Sequence, residues 1–155
     1  MLSDKSIKSF NTVDIEKIIK MLPHRYPMLM IDKVIEIVKD KSAIGIKNVT
    51  ANEHYFVGHF PNKMVMPGVL MIEAMAQTCA VLVIETIGKM SEGSLVYFMS
   101  VDAAKFRKPV VPGDQLNIKV EKEQSRGNVW KLSCNCFVDD EKVSEAIITA
   151  MIAEK

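Results

Sequence analysis

The chain has 155 residues, 48% of them hydrophobic, which suits one domain with a single core. Its 20 basic side chains against 19 acidic ones exclude the strong global field expected of a nucleic-acid binder or of a protein held on an anionic membrane. Three cysteines, with Cys134 and Cys136 two apart and no CxxC spacing, argue against a disulfide framework and for a reduced, cytosolic compartment.

The amino terminus, MLSDKSIKSFN, carries charges but no apolar core of the length a signal peptide needs, so secretion is not expected. Asn11 or Thr12 can cap a short helix through Val13, Ile15, Ile18 and Ile19, with Asp14 and Glu16 in its favourable first turn and Pro23 as its stop. In the HRYP loop at 24–27, Pro27 pushes Tyr26 toward an extended conformation. His24, a histidine beside an arginine in a loop, is expected to serve structure and is assigned no chemistry. Two β-branched runs, 29–38 and 43–49, face each other across Lys39–Ser42 as a hairpin, the second alternating through Ile44, Ile46 and Val49. A mixed segment, ANEHYFVG, leads into HFPNKMVMPGVLMIEAMAQ at 59–77.

Beyond it, 94–101 and 103–110 are strand-like, and Pro112-Gly113-Asp114 turns the chain into a strand carrying Leu116, Ile118 and Val120. Ser125–Asn128 turns it again. The next strand places Trp130, Leu132, Cys134, Cys136 and Val138 on one face, and Asp139-Asp140 turns into a last strand around 143–152. No repeat, low-complexity run or linker interrupts this order. It predicts a single α+β domain over 1–155, with about six largely antiparallel strands joined by short turns and one long helix.

That helix settles the architecture. From Gly68 to Ile84 the only polar side chains are Glu73, Gln77 and Thr78, so it is apolar nearly all round and reads as buried. A membrane span is the rival reading. At about 25 Å the run is short for a bilayer, and it would carry Glu73 near its middle at a substantial cost. A curved antiparallel sheet around the helix, with a second subunit covering the remainder, explains the pattern better.

Glu73 is the sharpest anomaly, a carboxylate in an apolar helix with Gln77 one turn along the same face. The plain reading is a structural carboxylate paired with a base. No basic residue lies within a turn on the helix, however, and desolvation is expected to raise its pKa so that it carries a proton and acts as a general acid. His59 is the complementary base, titrating near neutrality in a loop stiffened by Gly58 and Pro61. Pro67-Gly68 starts the helix, and there the unpaired N–H groups can hold a carbonyl oxygen that gains negative charge. Glu53, His54 and His59 do not form HExxH, and no ligand-spaced set suggests a metal. Nucleophile elbow, phosphate loop and dinucleotide fingerprint are equally absent from the sequence.

HFPNKMVMPGVLMIEAMAQ, with LPHRYPMLMID at 22–32, NEHYFVGHFP at 52–61 and KFRKPVVPGD at 105–114, resembles the (3R)-hydroxyacyl-[acyl-carrier-protein] dehydratases of type II fatty-acid synthesis, the FabZ type, over most of the chain. The resemblance implies a hotdog fold and a hydro-lyase that converts (3R)-3-hydroxyacyl thioesters on acyl carrier protein to trans-2-enoyl thioesters, with no metal or organic cofactor. It implies His59 as the catalytic histidine, Glu73 as the catalytic glutamate, and Gly68 as the glycine whose N–H polarises the thioester carbonyl. Tyr97 resembles a tyrosine that gates the acyl tunnel in some members. Lys105, Arg107 and Lys108 resemble the basic surface that receives the acidic carrier protein, with a solvated strand end as the plain alternative. A homodimer sharing its active sites across subunits, assembled as a hexamer (trimer of dimers), is further implied.

Combined, these readings let His59 remove the α-proton while Gly68 stabilises the enolate-like charge and Glu73, directly or through water, protonates the departing hydroxyl. Two alternatives stand beside this. One is another hotdog enzyme, a thioesterase or a dehydratase that also isomerises, although isomerising relatives carry aspartate where this chain has Glu73. The other is a non-catalytic acyl-binding module.

Overall fold

The structure is a computed structural model and describes residues 10–88 and 95–153. Segment 1–9, on which most of the expectation about secretion rests, and position 94, the start of an expected strand, lie outside the described residues. In chain order the elements are β1 (Asn11–Val13), α1 (Ile15–Met21), β2 (Lys33–Val38), β3 (Ser42–Asn48), a 3₁₀ turn (His54–Val57), α2 (Gly68–Ile87), β4 (Leu95–Phe106), β5 (Gln115–Arg126), β6 (Val129–Val138) and β7 (Glu141–Ala153). Seven strands form one open sheet in the order β1-β2-β3-β5-β6-β7-β4. Every neighbouring pair is antiparallel, and short turns join β2 to β3, β5 to β6 and β6 to β7.

Alternation drives the core. Leu116, Ile118 and Val120 of β5 are fully buried, as are Leu132 and Cys136 of β6 and Ile148 of β7, and this inner face curls around α2. The helix is buried without a break from Gln77 to Ile84. It is long and apolar enough to cross a membrane, but the sheet already covers most of it.

Several expectations need correction. The strand count is seven rather than about six. The first helix is not capped by Asn11 or Thr12, and Val13 is not part of it. Thr12 and Val13 are β-branched and join a short edge strand, with Val13 opposite Val34. Asp14 caps instead, its Oδ1 accepting from Lys17 N at 3.0 Å. The first arm of the hairpin begins at Lys33 rather than residue 29. The runs 94–101 and 103–110 are largely one strand, β4, which irregularities at Phe98–Ser100 and Asp102–Lys105 bend without breaking.

On β3 the alternation is real, and the structure shows which face is inward. Ala43, Gly45 and Lys47 point inward, and Ile44 and Ile46 lie on the half-exposed side. The reason is the helix: a Cβ on Gly45 would stand 2.1 Å from Thr78 Oγ1, so only a small residue lets α2 approach here. Buried Lys47 is neutralised by its ion pair with Glu53, whose other oxygen accepts from Tyr55 O–H at 2.8 Å.

Candidate active site

The 3₁₀ turn ends at Gly58, and His59 follows, its backbone N–H donating to Tyr55 O at 3.0 Å. Phe60 and Lys63 exchange two backbone hydrogen bonds around Pro61, and Val65 N–H donates to His59 O at 3.0 Å. The imidazole is fixed within this frame. Its Nδ1 lies 2.6 Å from Val65 O, and since a carbonyl only accepts, Nδ1 donates there and Nε2 is the nitrogen left free of that contact. The ring is thereby held in one orientation. The ring also stacks on Phe60, with centroids 4.0 Å apart.

Helix α2 begins at Gly68 because Pro67 before it is extended and cannot continue inward. Pro67 O accepts from Leu70 N and Met71 N. The N–H groups of Gly68 and Val69 have no acceptor among the described residues, which leaves donors at the positive end of a 20-residue helix. A Cβ on Gly68 would stand 2.7 Å from Phe106 Cε1, so the glycine also lets the helix start sit against that ring. His59 and Gly68 line one cavity of about 500 Å³, together with Val69, Phe106, Arg107 and Lys108.

Glu73 opens elsewhere. It lines a narrower cavity of about 40 Å³ with His24, Gln77, Ala80, Val96 and Phe98. His24 Nε2 lies 3.1 Å from Glu73 Oε1, and Gln77 Nε2 donates to the same oxygen at 2.9 Å. Gln77 is fully buried and also bridges to the preceding loop, accepting from Met30 N at 2.8 Å and donating to Met28 O at 2.7 Å. The sequence-based expectation for the Glu73 carboxyl is overturned. Its hydrogen bond with His24, reinforced by that from Gln77, holds the pKa below the ordinary carboxylate value despite partial burial. The basic partner sought on the helix comes from a loop.

His24, assigned no chemistry from sequence, is thus the residue that reading missed, and the apolar helix around Glu73 was the available signal that a partner had to arrive from another element. Phe106 was missed as well, and nothing in the sequence tied it to Gly68.

The structure brings His59 and Gly68 together, with Arg107 and Lys108 on the same cavity, and keeps Glu73 in a separate one. Tyr97 is half exposed on β4 and lines neither, while its neighbours Val96 and Phe98 line the Glu73 cavity. Arg107 Nη2 donates to Glu145 Oε1 at 2.8 Å and Lys108 pairs with Glu141, so both cations carry partners in the chain. Arg107, with Lys142, holds the Glu145 carboxyl below its ordinary value. Lys105 is exposed and has no ion-pair partner among the described residues.

An oriented imidazole beside unpaired helix N–H donors can remove a proton next to a carbonyl whose oxygen those donors hold. A carboxyl one turn further along the helix can serve an oxygen that leaves.

Comparison with known proteins matches residues 22–147 to the FabA-like domain family. Among curated relatives, the 3-hydroxyacyl-[acyl-carrier-protein] dehydratase FabZ of Rhodospirillum rubrum is 62% identical over 144 residues, covering 93% of this chain and 90% of that one. The protein of the same name from Paramagnetospirillum magneticum is 57% identical over 153 residues, covering 99% and 95%. Among solved structures, the dehydratase heterocomplex ApeI:P from Xenorhabdus doucetiae superposes with a TM-score of 0.76 at 18% identity, over 89% of this chain and 91% of that one. A hot-dog-like protein from Thermanaerovibrio acidaminovorans superposes with a TM-score of 0.61 at 15% identity, over 77% and 85%. The fold is the hotdog fold.

Proposed function

The chain belongs to the FabA-like family, and from that premise we propose that it is a hydro-lyase of fatty-acid biosynthesis. It dehydrates 3-hydroxyacyl thioesters on acyl carrier protein to trans-2-enoyl thioesters. The observation that carries the reading is the pairing, in one cavity, of a histidine locked by Val65 O and the free N–H groups at the Gly68 helix start.

In this reading the thioester carbonyl oxygen accepts from Gly68 N–H, which stabilises the charge that develops as the α-proton leaves. His59 Nε2 takes that proton. Glu73, directly or through a water, delivers a proton to the 3-hydroxyl, which departs as water. The electron pair of the broken C–H bond becomes the new double bond, and no metal or organic cofactor takes part.

The separation of His59 and Glu73 into two cavities of one chain supports a site completed by a second copy, with the histidine of one subunit facing the glutamate of the other. Strand β4 supports the same dimer: it is a sheet edge carrying exposed Leu95, Tyr97, Met99 and Val101, and uncovered apolar edges are normally paired. The reading extends to a hexamer built as a trimer of dimers, and to one domain over the whole chain. Tyr97 serves as the acyl gate. Lys105, Arg107 and Lys108 receive the acidic carrier protein, a role favoured by Arg107 and Lys108 bordering the His59 cavity. The setting is the cytoplasm, which suits three free, buried cysteines.

The test is turnover of a 3-hydroxyacyl carrier-protein thioester by the full chain, with the product identified by mass. Loss of water with the thioester intact is expected, together with a fall of about a hundredfold or more in His59→Ala at unchanged melting temperature. Release of a free thiol, or wild-type turnover by the variant, contradicts the reading.

A further inference from the structure

The contact between His24 and Glu73 carries a consequence beyond orientation. His24 Nε2 faces Glu73 Oε1 at 3.1 Å, while His24 Nδ1 is buried with no hydrogen-bond partner among the described residues. The ring therefore has one polar partner, and that partner is the proposed acid. Nor is the imidazole needed to hold its own loop. The Arg25 guanidinium binds Leu22 O, His24 O and Ile19 O at 2.7–3.0 Å, and Gln77 ties Met28 and Met30 to the helix. A structural histidine would be expected to carry one of those bonds.

We propose that His24 is a positioning and proton-supplying residue, and that the acid of the reaction is the His24–Glu73 pair holding one proton between them. The inference rests on the proposed dehydratase reading and deepens it. It answers a difficulty: held below its ordinary range by His24 first and Gln77 next, the Glu73 carboxyl makes a poor acid by itself near neutrality. A carboxylate beside an imidazolium has the proton within hydrogen-bond reach.

As the bond between C3 and its oxygen breaks, its electron pair goes with the hydroxyl, which takes a proton from Glu73. The imidazolium of His24 gives its Nε2 proton to the carboxylate, so Glu73 ends as it began. His59 holds the proton taken from the α-carbon. To reset, His59 releases that proton to solvent and His24 regains one. Few other groups can perturb this pair. Arg25 is the nearby fixed cation and Cys79 the other titratable side chain on the same cavity; Ala76, Ala80, Val96, Phe98, Ile148 and Ala150 close the rest with apolar surface. In the proposed dimer the partner's copy of His59 is the remaining titratable neighbour.

The experiment is the pH dependence of kcat and KM for the full chain and for His24→Gln, which keeps a donor toward Glu73 but carries no proton. At neutral pH, kcat is expected to fall by about tenfold or more with KM within about twofold, and the alkaline limb of the kcat profile should move down by about one pH unit or more as a lone carboxyl takes over. An unchanged limb overturns the proposal, whether or not kcat falls, because a purely structural role lowers activity without moving the titration. Should His24→Gln fail to fold, His24→Asn takes its place and is read by the same two criteria, the fall in kcat and the position of the alkaline limb. An unchanged limb there overturns the proposal too. Failure of the wild type to dehydrate sinks the functional reading and this inference together, whereas an active wild type with an indifferent His24→Gln sinks this inference alone.

Discussion

Gln77 Oε1 accepts the backbone N–H of Met30 at 2.8 Å while its Nε2 donates to both Met28 O and Glu73 Oε1. One buried amide thus joins the loop that carries His24 to the helix that carries Glu73. Gln77→Leu leaves the buried Met30 N without its acceptor, at about 1–3 kcal/mol before relaxation, and removes the half-buried bond to Met28 O as well. Thermal unfolding should show a clear loss of stability. Turnover should fall as well, because the loop is no longer registered against the helix. A variant as stable and active as wild type would show that the bridge is incidental.

The approach of α2 to the sheet depends on Gly45. A Cβ there would stand 2.1 Å from Thr78 Oγ1 and 2.8 Å from Cγ2, and Thr78 is fully buried, with its hydroxyl donating to Ala74 O. Gly45→Ala should therefore cost about 1–3 kcal/mol in denaturant unfolding, as overpacked cores do. Adding Thr78→Ala should recover part of the loss, and a strictly additive double variant would deny the contact.

Glu73 also makes a prediction about stability and pH. Its carboxyl is held below its ordinary value, by His24 first and Gln77 next, so its contribution is present above the unfolded pKa and disappears as pH falls through the folded one. Wild type should lose stability between about pH 5 and about pH 3, and Glu73→Gln should lose less over the same range. Parallel acid limbs for the two proteins would show that the pairing contributes nothing.

Much of the site was legible because its parts are anomalies along the chain: a histidine between Gly58 and Pro61, a Pro-Gly pair at a helix start, a carboxylate in an apolar helix. Glu73's acidity was misjudged for the same reason. Burial could be read from the helix pattern, whereas His24 comes from a distant loop, and its contact reverses the shift. Alternation in β3 revealed two faces without saying which was inward, a choice made by the close approach of Thr78 to Gly45. Val13 and Thr12 entered a strand because tertiary pairing with β2 outweighed a helix pattern only a few residues long. The bend of β4 was read as a break, since a bulge and a turn both interrupt alternation.

The central claim is that one catalytic site takes His59 from one subunit and Glu73 from another. It is tested most directly by co-folding two inactive variants, His59→Ala and Glu73→Gln, in equal amounts and measuring dehydration of a 3-hydroxyacyl thioester. In a mixed dimer one site is doubly impaired and the other regains both native residues. Random pairing should then restore about a quarter of wild-type activity. If the mixture stays as inactive as its components, although mixed dimers are shown to form, the shared site is contradicted.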